Sequence, residues 1–158
     1  MRDSASLAQL HQAIQRAMGW TDSHLYQFEI HGRPFTDLET WEAFDEDDEP
    51  GDTRVARLRA FRLQKHDCFT YLYDFGDDWL HDVMVEEVTP VPKGQRLPLC
   101  TAGARACPPE DCGGTPGYFE LLEALRDATH SEHENYRVWV GGGFDPEKFD
   151  LRKANARR

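Results

Sequence analysis

Phe69-Thr70-Tyr71-Leu72-Tyr73-Asp74-Phe75-Gly76-Asp77-Asp78-Trp79-Leu80-His81-Asp82-Val83-Met84-Val85-Glu86-Glu87-Val88 decides the fold. Phe69, Tyr71 and Tyr73 alternate with Thr70 and Leu72, the period of a strand with one buried face, and aromatic side chains suit a pleated surface. Asp74 to Asp78 then offers turn chemistry: aspartates that hydrogen-bond nearby backbone, and Gly76. Alternation resumes at Trp79 and runs to Val88, with Val83 and Val85 on one face and Met84 on the other. The pattern predicts an antiparallel hairpin with a loop longer than two residues.

Upstream, Leu7, Leu10, Ile14, Ala17 and Met18 follow one helical face, with Ser4 or Ser6 to cap the start and Gly19 to end it. A short strand is expected from His24 through Leu25, Phe28 and Ile30, with Arg33-Pro34 turning the chain. Residues 42–52 form an acidic connection. Its five consecutive carboxylates, Asp45 to Glu49, repel one another and read as a solvated, mobile loop. Val55, Leu58, Phe61 and Leu63 mark a short helix or turn before the hairpin.

Downstream, residues 89–117 hold six of the nine prolines and five of the twelve glycines, so an ordered loop is expected there. Tyr118, Leu121, Leu122 and Leu125 predict a helix opened by Pro116-Gly117. Another is expected from Ser131, as its cap, to Trp139. Asp145-Pro146 resembles a cap followed by proline, and residues 151–158 form a basic tail, read as a short helix with frayed ends. Helix, strands, then helices predict a single α+β domain over residues 1–158, with helices packed on one side of an antiparallel sheet.

Charge and composition narrow the classes of function. Eighteen basic against 29 acidic residues give a net charge of −11, opposite to the footprint of a nucleic-acid binder. No apolar run approaches the roughly 20 residues of a membrane span, and no hydrophobic signal core opens the chain. Four cysteines are too few for a secreted disulfide scaffold, so the expected compartment is the cytoplasm. No nucleophile elbow, phosphate-binding glycine loop or H-E-x-x-H motif is present.

Two constellations carry chemistry. In the hairpin, Asp74, Asp77, Asp78, Trp79 and His81 stand close in sequence. Asp74 or Asp77 with His81 could form a metal or acid–base site, or the aspartates could simply hold the loop while Trp79 fills core. The second is Cys100-x6-Cys107-Pro-Pro-Glu-Asp-Cys112-Gly-Gly. Thiolates bounded by proline and glycine suit tetrahedral zinc, although gaps of six and four residues exceed the usual first spacing. A fourth ligand would come from Cys68, His81, His130 or His133. Zinc, reduced thiols in an ordered loop and a disulfide all stay open. In the same stretch Glu110 and Asp111 sit on a stiff turn, and Gly113 and Gly114 can bring backbone amides close to a ligand. His11, on the apolar side of the first helix, reads as a satisfied, half-buried imidazole. Trp20 and Trp41 read as core.

L-x-x-L-H-x-x-I-x-x-A-M-G-W (7–20), H-L-Y-x-F (24–28), Y-D-F-G-D-x-W-x-H (73–81), C-P-P-E-D-C-G-G (107–114) and G-x-F-D-P-E-x-F-D (142–150) together resemble the plasmid pRiA4b Orf-3-like domain family. The resemblance implies a roll-type α+β domain, found mainly in bacteria and archaea, with no established activity. Some members are labelled resolvase-like passengers of transposable elements. That label implies a recombinase, which this chain does not support: its only serines are Ser4, Ser6, Ser23 and Ser131, and no arginine cluster accompanies them. Relatives also carry an extended segment before the first helix. Its lack here would leave a sheet edge that a homodimer could cover.

The function expected from these readings is a non-enzymatic binding or accessory module. Its ligand surface would lie on the 73–81 hairpin and the 107–114 loop, its partner being a protein or small molecule, with zinc on the cysteines as the one cofactor considered. A metal-dependent hydrolase of a phosphoester or nucleotide is the alternative, and a nucleic-acid role comes third.

Overall fold

The computed structural model describes residues 1–40 and 50–156. The acidic run Asp45–Glu49, most of the predicted 42–52 loop, Trp41 and the last two residues of the tail therefore lie outside the described residues. Helix α1 (Leu7–Met18) leads into strands β1 (Tyr26–Ile30), β2 (Arg33–Thr36) and β3 (Gly51–Asp52). A short 3₁₀ turn (Leu58–Phe61) precedes β4 (Cys68–Tyr73) and β5 (Trp79–Met84), and helices α2 (Gly114–Arg126), α3 (His133–Trp139) and α4 (Leu151–Ala156) follow. The strands form one open sheet in the order β3-β2-β1-β4-β5, so the chain is an α+β fold.

The predicted hairpin is present. β4 and β5 pair from Cys68 opposite Met84 to Tyr73 opposite Trp79, leaving Asp74–Asp78 as the loop. Its strand ends at Met84 rather than Val88. β4 also pairs antiparallel with β1, setting Phe28 against Tyr71 and Tyr26 against Tyr73, and these four rings with Ile30 and Phe69 build the sheet's buried face. Leu10, Ile14 and Met18 lay α1 against that face. α4 packs on α1, whereas α2 and α3 pair with each other.

Helix α1 begins as its sequence directs. Ser6 Oγ accepts the amide of Gln9 (3.1 Å) and Gln9 returns a bond to the Ser6 amide (3.0 Å), a reciprocal capping box. Gly19 ends it in the left-handed conformation. Across the α1–β4 interface runs a polar chain. His11 is buried completely rather than by half, stacked on Tyr26 at 3.6 Å. Its Nε2 donates to Asp22 (2.6 Å), its Nδ1 accepts the Tyr71 hydroxyl (2.8 Å), and that hydroxyl accepts Gln15 Nε2 (3.0 Å). With Nε2 as donor and Nδ1 as acceptor, every partner in this chain is satisfied. Burial pushes its pKa below the ordinary value, with Asp22 opposing.

Several boundaries differ from expectation. Arg33-Pro34 does not turn the chain; it opens β2, and the turn is His31-Gly32, both at positive φ as a two-residue hairpin requires. Pro34 is tolerated because it stands opposite Glu29, one position beyond the pair that closes the turn. Its ring nitrogen there faces away from β1, past the reach of β3. The sheet is mixed rather than purely antiparallel, since β3 runs parallel to β2. Leu25 precedes the first strand and is exposed, and β1 buries Tyr26 instead. α2 starts at Gly114, ahead of Pro116-Gly117. α3 starts at His133 with no cap bond from Ser131. Asp145 accepts the Glu147 amide in a turn, and it is Asp150 that caps α4 by accepting the Lys153 amide (2.9 Å).

Candidate functional site

Where the regular ladder bonds stop, aspartates hold the hairpin loop. Asp74 takes a positive φ of 58° and is buried; its amide donates to Leu25 O and its carbonyl accepts the Asp78 amide. Asp74 Oδ1 accepts the amides of Gly76 (3.0 Å) and Asp77 (3.3 Å). Aspartate tolerates this backbone region and supplies the turn's acceptor in one side chain.

The 107–114 loop is fastened to the hairpin and to residues 20–24 after α1. Trp20 Nε1 donates to Pro108 O (3.0 Å). Glu110 accepts the Tyr73 hydroxyl on one oxygen (2.5 Å), and the Thr21 amide (2.9 Å) and hydroxyl (2.6 Å) on the other. Asp77 Oδ2 accepts the Gly113 amide (3.2 Å). Gly114 sits so close to Asp77 that an added Cβ would stand 3.2 Å from its carbonyl carbon, and nearer still to the oxygen. The two motif-bearing loops thus form one wall.

His24 joins that wall from the strand entry. Its Nε2 stands 3.1 Å from Asp111 Oδ1 and 3.6 Å from Asp74 Oδ2. Among the described residues these three are the set of histidine, cysteine or carboxylate donors that converges, their ligand atoms all within 4.8 Å of one another. Asp74 is buried, His24 is partly covered, and the Asp111 side chain is 72% exposed at φ 59°.

The other candidate residues have different work. Asp78 is exposed at positive φ next to the strand start. Trp79 is half-buried, with its indole N–H enclosed and unpaired. His81 donates Nδ1–H to Tyr71 O (3.2 Å) and lies edge-on to Trp20, and burial lowers its pKa. Among the described residues it makes no ion pair with a carboxylate, so the Asp74 or Asp77 pairing with His81 read from sequence does not form.

The thiols do not converge either. Cys112 is buried, its Sγ 3.8 Å from Gly114 O, and burial ahead of the Asp77 charge raises its pKa to about 11, so it stays a thiol. The Cys100 backbone is tied to Asn155 on α4. Cys107 is half-buried against the core. Cys68 is exposed at the opposite end of β4 from Asp74. His130 Nδ1 accepts the Glu132 amide in the turn before α3, and His133 donates to Ala124 O, binding α3 to α2. Among the described residues no converging set of three donors contains a cysteine.

Sequence reading missed His24, Thr21 and the Tyr73 hydroxyl. His24 stands in the H-L-Y-x-F motif, but only the β1–β4 pairing carries it to Asp74.

Fold and wall define a class: a small α+β domain whose polar motifs gather in two clasped loops. The chain belongs to the family described as plasmid pRiA4b ORF-3-like protein, whose model matches residues 1–153. It is 41% identical over 137 residues to the uncharacterized protein y4hQ of Sinorhizobium fredii, covering 85% of this chain and 68% of that one. It is also similar to the crystal structure of MM3350, a protein of unknown function from Methanosarcina mazei Go1. That match has a TM-score of 0.82 and 35% identity, covering 96% of this chain and 84% of the other. Neither description names an enzymatic activity.

Proposed function

We propose that the chain is a binding or accessory module whose ligand seat is the wall made by the 73–81 hairpin and the 107–114 loop. The observation behind this reading is how the motif side chains are used. Asp77, Glu110 and one oxygen of Asp74 hold the loops together, leaving a preorganised surface on which Asp78 and Asp111 are the exposed carboxylates. Preorganisation lowers the entropy cost of binding a small molecule or a protein segment. The charge of −11 disfavours nucleic acid as the partner. No helix among the described residues is long and apolar enough to cross a membrane. The free thiols of Cys68, Cys100 and Cys112 fit a reducing compartment such as the cytoplasm. A homodimer through the outer edge of β5, where Leu80 and Met84 are exposed, is a separate surface that light scattering would reveal.

Amide shift mapping with a metabolite-like fragment library tests the seat, run in EDTA so that no metal contributes. Shifts concentrated on residues 73–81 and 107–114 support the reading. Binders that map elsewhere, for example to the groove between α1 and residues 95–100, overturn it.

A metal-dependent hydrolase of a phosphoester or nucleotide is the second reading, favoured by the convergence of His24, Asp74 and Asp111 with one ligand open to solvent. Phosphoester turnover with Mn²⁺ or Mg²⁺ that disappears in Asp111→Asn supports it. No turnover with either ion removes it.

A further inference from the structure

We infer that His24, Asp74 and Asp111 form a binding site for one first-row divalent transition ion, completed by water on the Asp111 side. The inference deepens the proposed ligand seat by naming an inorganic component of it.

Four observations carry it. First, the spacing suits an ion. Donors about 2.0–2.2 Å from one metal at octahedral or tetrahedral angles lie roughly 3.0–3.5 Å apart. His24 Nε2 is 3.1 Å from Asp111 Oδ1, inside that range, and 3.6 Å from Asp74 Oδ2, just beyond it, and all three donor atoms lie within 4.8 Å, so a small inward shift would close them on one ion. Second, His24 Nε2 is closed off from solvent, yet neither carboxylate contact has the alignment of a hydrogen bond. The nitrogen thus faces two carboxylates without a formed hydrogen bond, and an ion accepting its lone pair would satisfy all three groups at once. Third, Asp74 is aimed by its own loop: with Oδ1 held by the Gly76 and Asp77 amides, Oδ2 is left for His24 and the ion. Backbone donors of this kind are the outer-shell support that metal carboxylates use. Fourth, two carboxylates and a neutral imidazole balance a dication.

The donor set selects among cations. Ca²⁺ and Mg²⁺ take oxygen ligands, whereas imidazole suits zinc and its first-row neighbours, and mixed nitrogen and carboxylate donors without thiolate accommodate Mn²⁺ as well. Asp111 is largely exposed, so the remaining positions face water rather than protein.

Isothermal titration of the full chain with Mn²⁺ and with Zn²⁺, using Mg²⁺ and Ca²⁺ as comparisons, provides the test. The result expected is one site that takes the transition ions and discriminates against the hard ones. Mn²⁺ broadening should centre on the amides of His24, Asp74 and Asp111. Asp111→Asn should weaken binding at least about tenfold, judged against the 10–100-fold lost when only supporting partners of a metal are removed. That variant keeps the left-handed backbone asparagine tolerates, and its exposed side chain leaves the fold intact. Glu86→Gln, an exposed carboxylate outside both loops, should leave affinity unchanged. Absence of binding overturns the inference. So does binding indifferent to Asp111→Asn, broadening centred on the Asp45–Glu49 run, or zinc uptake abolished by thiol alkylation. The EDTA fragment maps are read independently, so failure of the ion leaves the ligand-seat reading standing or falling on its own data.

Discussion

Gly114→Ala is the sharpest probe of whether the two loops are one wall. Gly114 has φ +64°, where an added Cβ costs about 1–2 kcal/mol against the following carbonyl. The new Cβ would also stand 3.4 Å from Asp77 Cα and 3.2 Å from its carbonyl carbon, closer still to the oxygen. Both sides of that clash are backbone, so no side chain can rotate away, and forced overpacking costs about 1–3 kcal/mol. A total near 3 kcal/mol is expected. At 158 residues each kcal/mol moves Tm by about 2–4 °C, so the loss should be roughly 6–12 °C.

Gly32→Ala is the matched comparison. Gly32 has φ +72° with nothing within 4 Å of an added Cβ, so it meets the backbone penalty without the clash. Both variants also stiffen the unfolded chain alike, and that contribution cancels between them. Urea unfolding at unchanged m should therefore place Gly114→Ala about 1–3 kcal/mol below Gly32→Ala. Equal losses would refute the contact between the Asp77 loop and the start of α2.

Two further outcomes follow from the buried histidines and from Glu110. His11 and His81 both have pKa values lowered from 6.5 chiefly by burial, so the unfolded chain takes up protons first; stability should hold above about pH 6.5 and fall as pH drops toward the native values. Urea midpoints from pH 7.5 to 5.5 check this, His81→Asn should flatten the slope, and a midpoint that rises on acidification contradicts it. Glu110→Gln, stripping charge from the acceptor of Tyr73 and Thr21, should cost about 1–3 kcal/mol, and a cycle with Tyr73→Phe should show coupling of at least about 0.5 kcal/mol, whereas strict additivity would deny their bond.

How far the fold could be read depended on whether each signal was local. Phe69, Tyr71 and Tyr73 alternate within one strand, and a serine stands just ahead of the first apolar helical stripe, so hairpin and helix start are visible in the chain itself, whereas the choice of Ser6 and the return bond from Gln9 emerge only in the structure. Arg33-Pro34 carries the local signature of a breaker, while the ladder position that makes proline harmless there depends on where β3 stops. Parallel pairing of Gly51–Asp52 with β2 has no periodic signature over two residues. The loops carrying the candidate site were legible from their Asp, Glu and Gly clusters, but the jobs within them were not. His81 lies near Asp74 in sequence yet turns to Tyr71 O, whereas His24, far away in the chain, is delivered to Asp74 because β1 pairs with β4.

Motif density and site chemistry therefore separate in this fold. Asp77, Glu110, Gly113 and Gly114 stand out in the sequence because two irregular loops must be fastened without ladder bonds, and each is occupied in doing so. Asp74 divides itself: Oδ1 holds the hairpin loop and Oδ2 faces His24. Substituting Asp74 would thus confound loss of the loop with loss of a ligand, and substituting Glu110 would loosen the wall before touching anything bound to it. Asp111 is the member of the cluster whose side chain is largely exposed and whose backbone an asparagine can adopt. Its substitution is therefore the one that tests the proposed ion site while leaving the wall in place.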